Sequence, residues 1–161
     1  MATGASARIT SFPGDPQALA WSPDGTRLAF VATVAGQPTT LGAAPPKPEG
    51  AKWAEPLTVI DRVNYRSDGP GYLKPGFDHL FVVAADGGAA RQLTFGSFDD
   101  GGPLSWTPNG REIVFSAIRG PEADRQVMNS DVIAVDVATG TLRMLTTRDG
   151  PDGAPRISPD G

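Results

Sequence analysis

The chain has 161 residues, enough for one domain with a core, and its 39% hydrophobic and 20% charged residues suit a packed, water-soluble protein. The net charge of −4, with 14 Lys and Arg residues scattered singly, argues against nucleic acid, and no run approaches the roughly 18 apolar residues of a membrane-spanning helix. Cysteine is absent, which rules out a disulfide framework, a thiol nucleophile and a Cys-based metal site.

The first residues, MATGASARIT, lack the charged start and apolar middle of a signal peptide, so a cytoplasmic location and no membrane partner are expected. Residues 8–14 read as a stray outer strand, because ARITSFPG is a faded copy of phrases that recur downstream. A first unit covers residues 17–95. It opens with WSPDG, from Trp21 to Gly25, followed by the apolar strand that holds Leu28 and Phe30. Residues 34–78 read as a long insertion, Pro-rich at its start. The unit resumes with HLFVVAADGG, from His79 to Gly88, and closes with ARQLT, from Ala90 to Thr94.

A second unit, residues 102–147, repeats the order with WTPNG, from Trp106 to Gly110, then DVIAVDVATG and LRMLT. Residues 154–161, containing a third phrase, ISPDG, read as the start of a further unit. The 20 Gly and 16 Pro residues punctuate these strands: Pro23 and Pro108 preset φ for a corner, and Gly25 and Gly110 supply the positive φ of tight turns. Each unit therefore predicts a four-stranded antiparallel meander, and units repeated at this spacing build β-propeller blades. The fold class is all-β: a partial, open β-propeller of about two to three four-stranded antiparallel blades. Known propellers close with at least about four blades. On this count the chain is expected to be either a portion of a longer protein or a homo-oligomer that shares open blade edges between copies.

Five stretches in this order, WAEP, IDRVNYRSDGPGYL, HLFVVAADGGAARQLTFGSFDDGGPLSW, SDVIAVDVATG and GPDGAPRISPDG, resemble the N-terminal propeller of prolyl-oligopeptidase-family (S9) serine peptidases, in particular acylaminoacyl-peptidase-like members. The likeness runs from about Arg8 to Gly161. The SPDG phrases are shared with TolB-like and other propellers; the string holding Tyr65, Arg66, Asp68, Gly69 and Tyr72 is more specific. Thr107 and Asn109 depart from the usual Ser and Asp, and Ile157 stands where a third Trp is usual. The resemblance implies a propeller that caps an α/β-hydrolase catalytic domain and filters the peptides reaching its serine.

The chain's own residues offer little chemistry. A serine hydrolase of this class needs Gly-x-Ser-x-Gly to hold the nucleophile on a strained turn, and none occurs, so the chain alone is expected to be inactive. His79, the single histidine, is read as a surface or blade-packing residue. Asp99 and Asp100 are read as a solvated, turn-forming pair, and no metal or cofactor is expected. Trp21 and Trp106, at equivalent repeat positions, are expected to pack between neighbouring blades. Substrate-binding candidates sit in the insertion: Arg62, Tyr65, Arg66 and Asp68. Arg62 or Arg66 offers a fork for a peptide carboxylate, and an internal salt bridge, for instance with Asp61 or Asp68, explains the same residues more simply. The competing functional reading is a non-enzymatic, self-assembling or protein-interaction module.

Overall fold

The computed structural model describes residues 6–43, 45–54, 57–126 and 128–161. Residues 1–5 of the leader reading, and Glu55 and Pro56 of WAEP, lie outside the described residues.

Two four-stranded antiparallel sheets carry the fold. The first blade comprises β1 (Gln17–Trp21) and β2 (Arg27–Ala35), then, beyond the insertion and its small hairpin of β3 (Arg66–Ser67) and β4 (Gly71–Tyr72), β5 (Gly76–Ala84) and β6 (Arg91–Gln92). The second blade is β7 (Asp100–Trp106), β8 (Glu112–Ala117), β9 (Asp131–Asp136) and β10 (Leu142–Met144). In both, sequence neighbours pair in chain order once the hairpin is set aside, so each blade is a meander. A 3-10 turn, Ala123–Arg125, lies in the β8–β9 connection.

The SPDG corner works the same way twice. Ser22 Oγ donates to Asp24 and accepts the Arg27 amide at 2.9 Å; Thr107 Oγ1 donates to Asn109 and accepts the Glu112 amide at 3.0 Å. Thr107 and Asn109 therefore preserve the hydrogen-bond pattern of the residues they replace. The turn bonds hold the exposed Asp24 carboxyl down at about 2, with the Ser22 hydroxyl the largest cause.

Alternation along the strands sorts side chains to two faces. Ala29, Val31, Leu80, Val82 and Leu93 of the first blade face Trp106, Ile113, Phe115, Ile133 and Val135 of the second and form the main core. Polar bonds cross the same junction. The Trp106 indole donates to the Ala20 carbonyl at 3.0 Å, and Arg27 lies over the Trp106 ring while donating to the Gly110 carbonyl at 2.9 Å. Trp106 is thus the blade-packing residue its position predicts, at 8% exposure. Trp21, its repeat equivalent, is 54% exposed.

The terminal segments differ from expectation. Residues 8–14 form no strand. They lie on the first blade's outward face, where Phe12 sets its ring edge-on against Phe30 and Phe81 at 5.3 and 4.7 Å, and Ile9 accepts the Gly88 amide. The segment plugs an apolar face through side-chain contacts and joins no ladder. Residues 154–161 also form no strand; the Ile157 amide donates to Ser105 Oγ beside β7. The insertion begins after Ala35 and ends at Pro75, inside the predicted 34–78.

Candidate functional site

In each blade the β2–β5 or β8–β9 connection and the link between blades emerge at one end, opposite the SPDG corners. There the insertion, the β6–β7 link and the β8–β9 connection wall a cavity of about 450 Å³, lined by Arg62, Phe77, Phe98, Asp99, Ile118 and Asp124 among others.

Arg62 is the hub. Its guanidinium lies 4.8 Å from the Phe77 ring centre, and it donates to the Gly76 carbonyl at 3.0 Å and to Asp99 at 3.3 Å. Asp99 also accepts the Asp78 amide at 3.0 Å. Opposite, Asp124 accepts the Val63 amide at 2.6 Å and the Asn64 amide at 3.4 Å, tying the insertion to the 3-10 turn of the second blade. The salt-bridge reading of Arg62 therefore meets a partner in Asp99, not Asp61 or Asp68. Asp61 instead accepts from Thr39.

Tyr65, Arg66 and Asp68 stand apart from this cavity. They belong to the β3–β4 hairpin, where Arg66 pairs with Tyr72 and the two tyrosine rings lie 6.1 Å apart. Tyr65 and Tyr72 edge a second cavity, about 370 Å³, that shares Arg62 with the first and is walled by apolar residues such as Leu57, Ile60 and Leu73 together with polar ones such as Thr58, Asp61 and Lys74. The four sequence candidates thus divide: Arg62 joins both cavities, Tyr65 lines the second, and Arg66 and Asp68 are exposed on the hairpin.

Beneath the first cavity lies a buried polar network. Asp100 is fully buried and accepts a fork from Arg119, at 2.7 Å from Nε and 2.6 Å from Nη2. His79 Nδ1 lies 3.2 Å from Asp100 and 3.4 Å from Thr94 Oγ1, which also accepts the Leu80 amide. Burial alone would push the Asp100 carboxyl up. Hydrogen bonds from His79, Arg119 and Thr94 outweigh that and hold it below the ordinary carboxylate range. Asp99 and Asp100 are therefore no solvated pair. Alternation at the start of β7 turns one carboxylate to the cavity and the other to the core.

His79 beside Asp100 is not a catalytic dyad. A triad needs its carboxylate on one imidazole nitrogen and its hydroxyl on the other, whereas both Asp100 and Thr94 approach Nδ1. Arg119 already occupies both Asp100 oxygens, and His79 is out of reach of solvent. Its role is blade packing. Among the described residues, no group of three His, Asp or Glu side chains is placed to hold a metal ion, and no helix is long and apolar enough to cross a membrane.

Arg119, Phe98 and Asp124 escaped sequence reasoning, and Asp100 was read there as solvated. A signal for one of them existed in the repeat, since Thr94 and Asp100 recur as Thr146 and Asp152, and Thr146 Oγ1 accepts the Val132 amide as Thr94 accepts that of Leu80.

No known family profile matches the chain. Over 114 residues, 71% of its length, the chain is 28% identical to the uncharacterized peptidase YuxL of Bacillus subtilis strain 168, and the match spans 17% of that relative. Its backbone is similar to a solved structure described as a TolB protein from Agrobacterium tumefaciens, with 22% identity and a TM-score of 0.45, covering 93% of this chain and 52% of that one. The chain is a partial propeller with sequence similarity to a peptidase.

Proposed function

We propose that this chain is the non-catalytic propeller portion of an acylaminoacyl-peptidase-like serine peptidase, where it gates and selects the peptides that reach an α/β-hydrolase domain. The observation that carries the reading is the similarity to a protein described as a peptidase over most of the chain. The cavity adds support: three connections wall a space with aromatic sides, Phe77 and Phe98, and polar groups from Asn64, Ser97 and Gln126, a lining suited to a peptide. Arg62 is braced by Gly76 and Asp99, so in this reading it shapes the wall rather than clamping a carboxylate.

The test begins with the coding sequence beyond the codon for Gly161. The reading expects it to continue to a Gly-x-Ser-x-Gly hydrolase domain, and a stop codon there overturns it. In the longer product, Phe98→Ala should change kcat/KM for long and short peptides by different factors, whereas equal factors would remove the selecting role. The isolated 161-residue chain should hydrolyse neither acylated nor free peptides.

A further inference from the structure

Of the three charged residues that line the first cavity, two are paired with each other: Arg62 meets Asp99 at 3.3 Å. The neighbouring charges are matched as well, Arg119 to the buried Asp100 and Arg125 to Glu122. Asp124 is the exception. It accepts the Val63 and Asn64 amides, which carry no net charge, and among the described residues no Lys, Arg or His lies within ion-pair distance of its carboxylate. Two amides also leave its oxygens with room to accept more, since a carboxylate offers about four lone-pair sites.

The same cavity has apolar walls. Phe77 on β5, Phe98 in the β6–β7 link and Ile118 just past β8 line it, each half-buried, so the apolar surface is built from both blades. The rings are not free to take a cation on their own account, because the Arg62 guanidinium lies 4.8 Å from the Phe77 centre and that of Arg119 lies 4.9 Å from the Phe98 centre. A cationic head is therefore left to Asp124 and an apolar stem to the rings. An acidic side chain would meet the unpaired carboxylate and find the lining cation already engaged. A purely apolar one would fill the walls and leave Asp124 unmatched. The volume of about 450 Å³ falls within the roughly 300–1,000 Å³ of ligand pockets.

We propose that the first cavity receives a lysine or arginine side chain of a bound peptide, its head on the Asp124 carboxylate and its methylene stem along Phe77, Phe98 and Ile118. The inference rests on the reading of this cavity as a peptide site and names the peptides it takes. Lysine and arginine suit both parts of the lining, because they bury an apolar stem while keeping the charged head in a polar setting. The pair supplies selection more than strength. Asp124 is exposed, and an ion pair at an exposed carboxylate is worth a factor of about five at most in affinity. The net charge of −4 on the chain favours the approach of basic peptides over acidic ones.

The test is the binding of three alanine-based peptides to the full chain, followed by amide shifts in nuclear magnetic resonance. One is blocked at both ends and has a central lysine, one is blocked with a central norleucine, and one has the norleucine but a free amino terminus. The blocked lysine peptide should bind about threefold to fivefold more tightly than the blocked norleucine peptide at low salt, shifting the Asn64, Phe98 and Asp124 amides. The difference should fade in roughly 0.5 M salt. It should also vanish in Asp124→Asn and persist in Asp124→Glu, with circular dichroism confirming that both variants fold. Equal binding of the two blocked peptides overturns the inference and leaves the peptide site standing, whereas no binding of any peptide removes both. A lysine preference that survives Asp124→Asn overturns it too. So does a free-terminus norleucine peptide that matches the lysine peptide, because Asp124 would then serve a peptide amino terminus and not a side chain.

Discussion

The side chains with most at stake are those whose charge is buried, and Asp100 is foremost among them. Asp100→Ala leaves Arg119, only 14% exposed, without its carboxylate, and leaves His79 without its partner. Breaking one side of a buried pair costs about 3–5 kcal/mol, which urea unfolding of the variant should register. The same carboxyl ties stability to pH. Its folded pKa lies below the unfolded value of roughly 3.9, so the stabilisation is fully present above that pH and is lost as pH falls through the lower folded value. Acid titration of wild type should therefore show a drop in unfolding free energy below about pH 4 that is smaller in Asp100→Asn. Gly76 is a second sensitive point. At φ +141° it opens β5, and a Cβ there would lie 2.5 Å from the Val34 carbonyl oxygen. Gly76→Ala should shift the start of β5, disturb the carbonyl that Arg62 grips and lower the melting temperature. An unchanged melting temperature would mean that the strand end yields freely.

Among the elements, the insertion is tied to the second blade by Asp124, which accepts the Val63 and Asn64 amides. Asp124→Ala should speed hydrogen exchange at those two amides while leaving β5 and β9 protected, because Asp124 is exposed and contributes little to the core. Equal protection in variant and wild type would show that other contacts hold the insertion. The strands β2, β5, β8 and β9 were legible in the sequence, since apolar runs bounded by Asp-Gly, Asn-Gly or Thr-Gly turns leave little choice but a meander. The hairpin of β3 and β4 was not. Its two-residue strands, Arg66–Ser67 and Gly71–Tyr72, are too short for any alternation to register. Residues 8–14 misled for a different reason: ARIT matches a phrase that forms a strand elsewhere, but whether a strand forms depends on a free edge, which no local pattern records. The site was legible only as a region. Arg62 was singled out by type and setting, yet its partner Asp99 is 37 residues away, and Asp124, which holds the neighbouring Val63, is 61 residues from that residue. Pairings at that separation follow from how blades dock.

On the scale of the whole molecule, the blades share one core and should behave as one cooperative unit. Leu80 and Val82 of one blade and Phe115 and Ile133 of the other lose their cover together if the junction parts. A blade on its own is a four-stranded sheet with both faces apolar, and no burial available to it offsets that exposure. Trp106 closes the junction by burying its ring, donating to Ala20 and accepting the charge of Arg27 on its face. Trp106→Ala removes all three contacts and should cost about 3–5 kcal/mol, the range for truncating a large aromatic in a core. Trp106→Phe keeps an aromatic ring but loses the indole donor, and should cost less. The decisive comparison is between probes. In wild type, unfolding followed by far-ultraviolet circular dichroism and by amide exchange in each blade should coincide in a single transition. In Trp106→Ala the second blade, which keeps Ile113 and Phe115 but loses its bridge to β1, should open first. Coincident transitions in the variant as well would mean that the aliphatic contacts alone couple the blades, with the indole adding stability but not cooperativity.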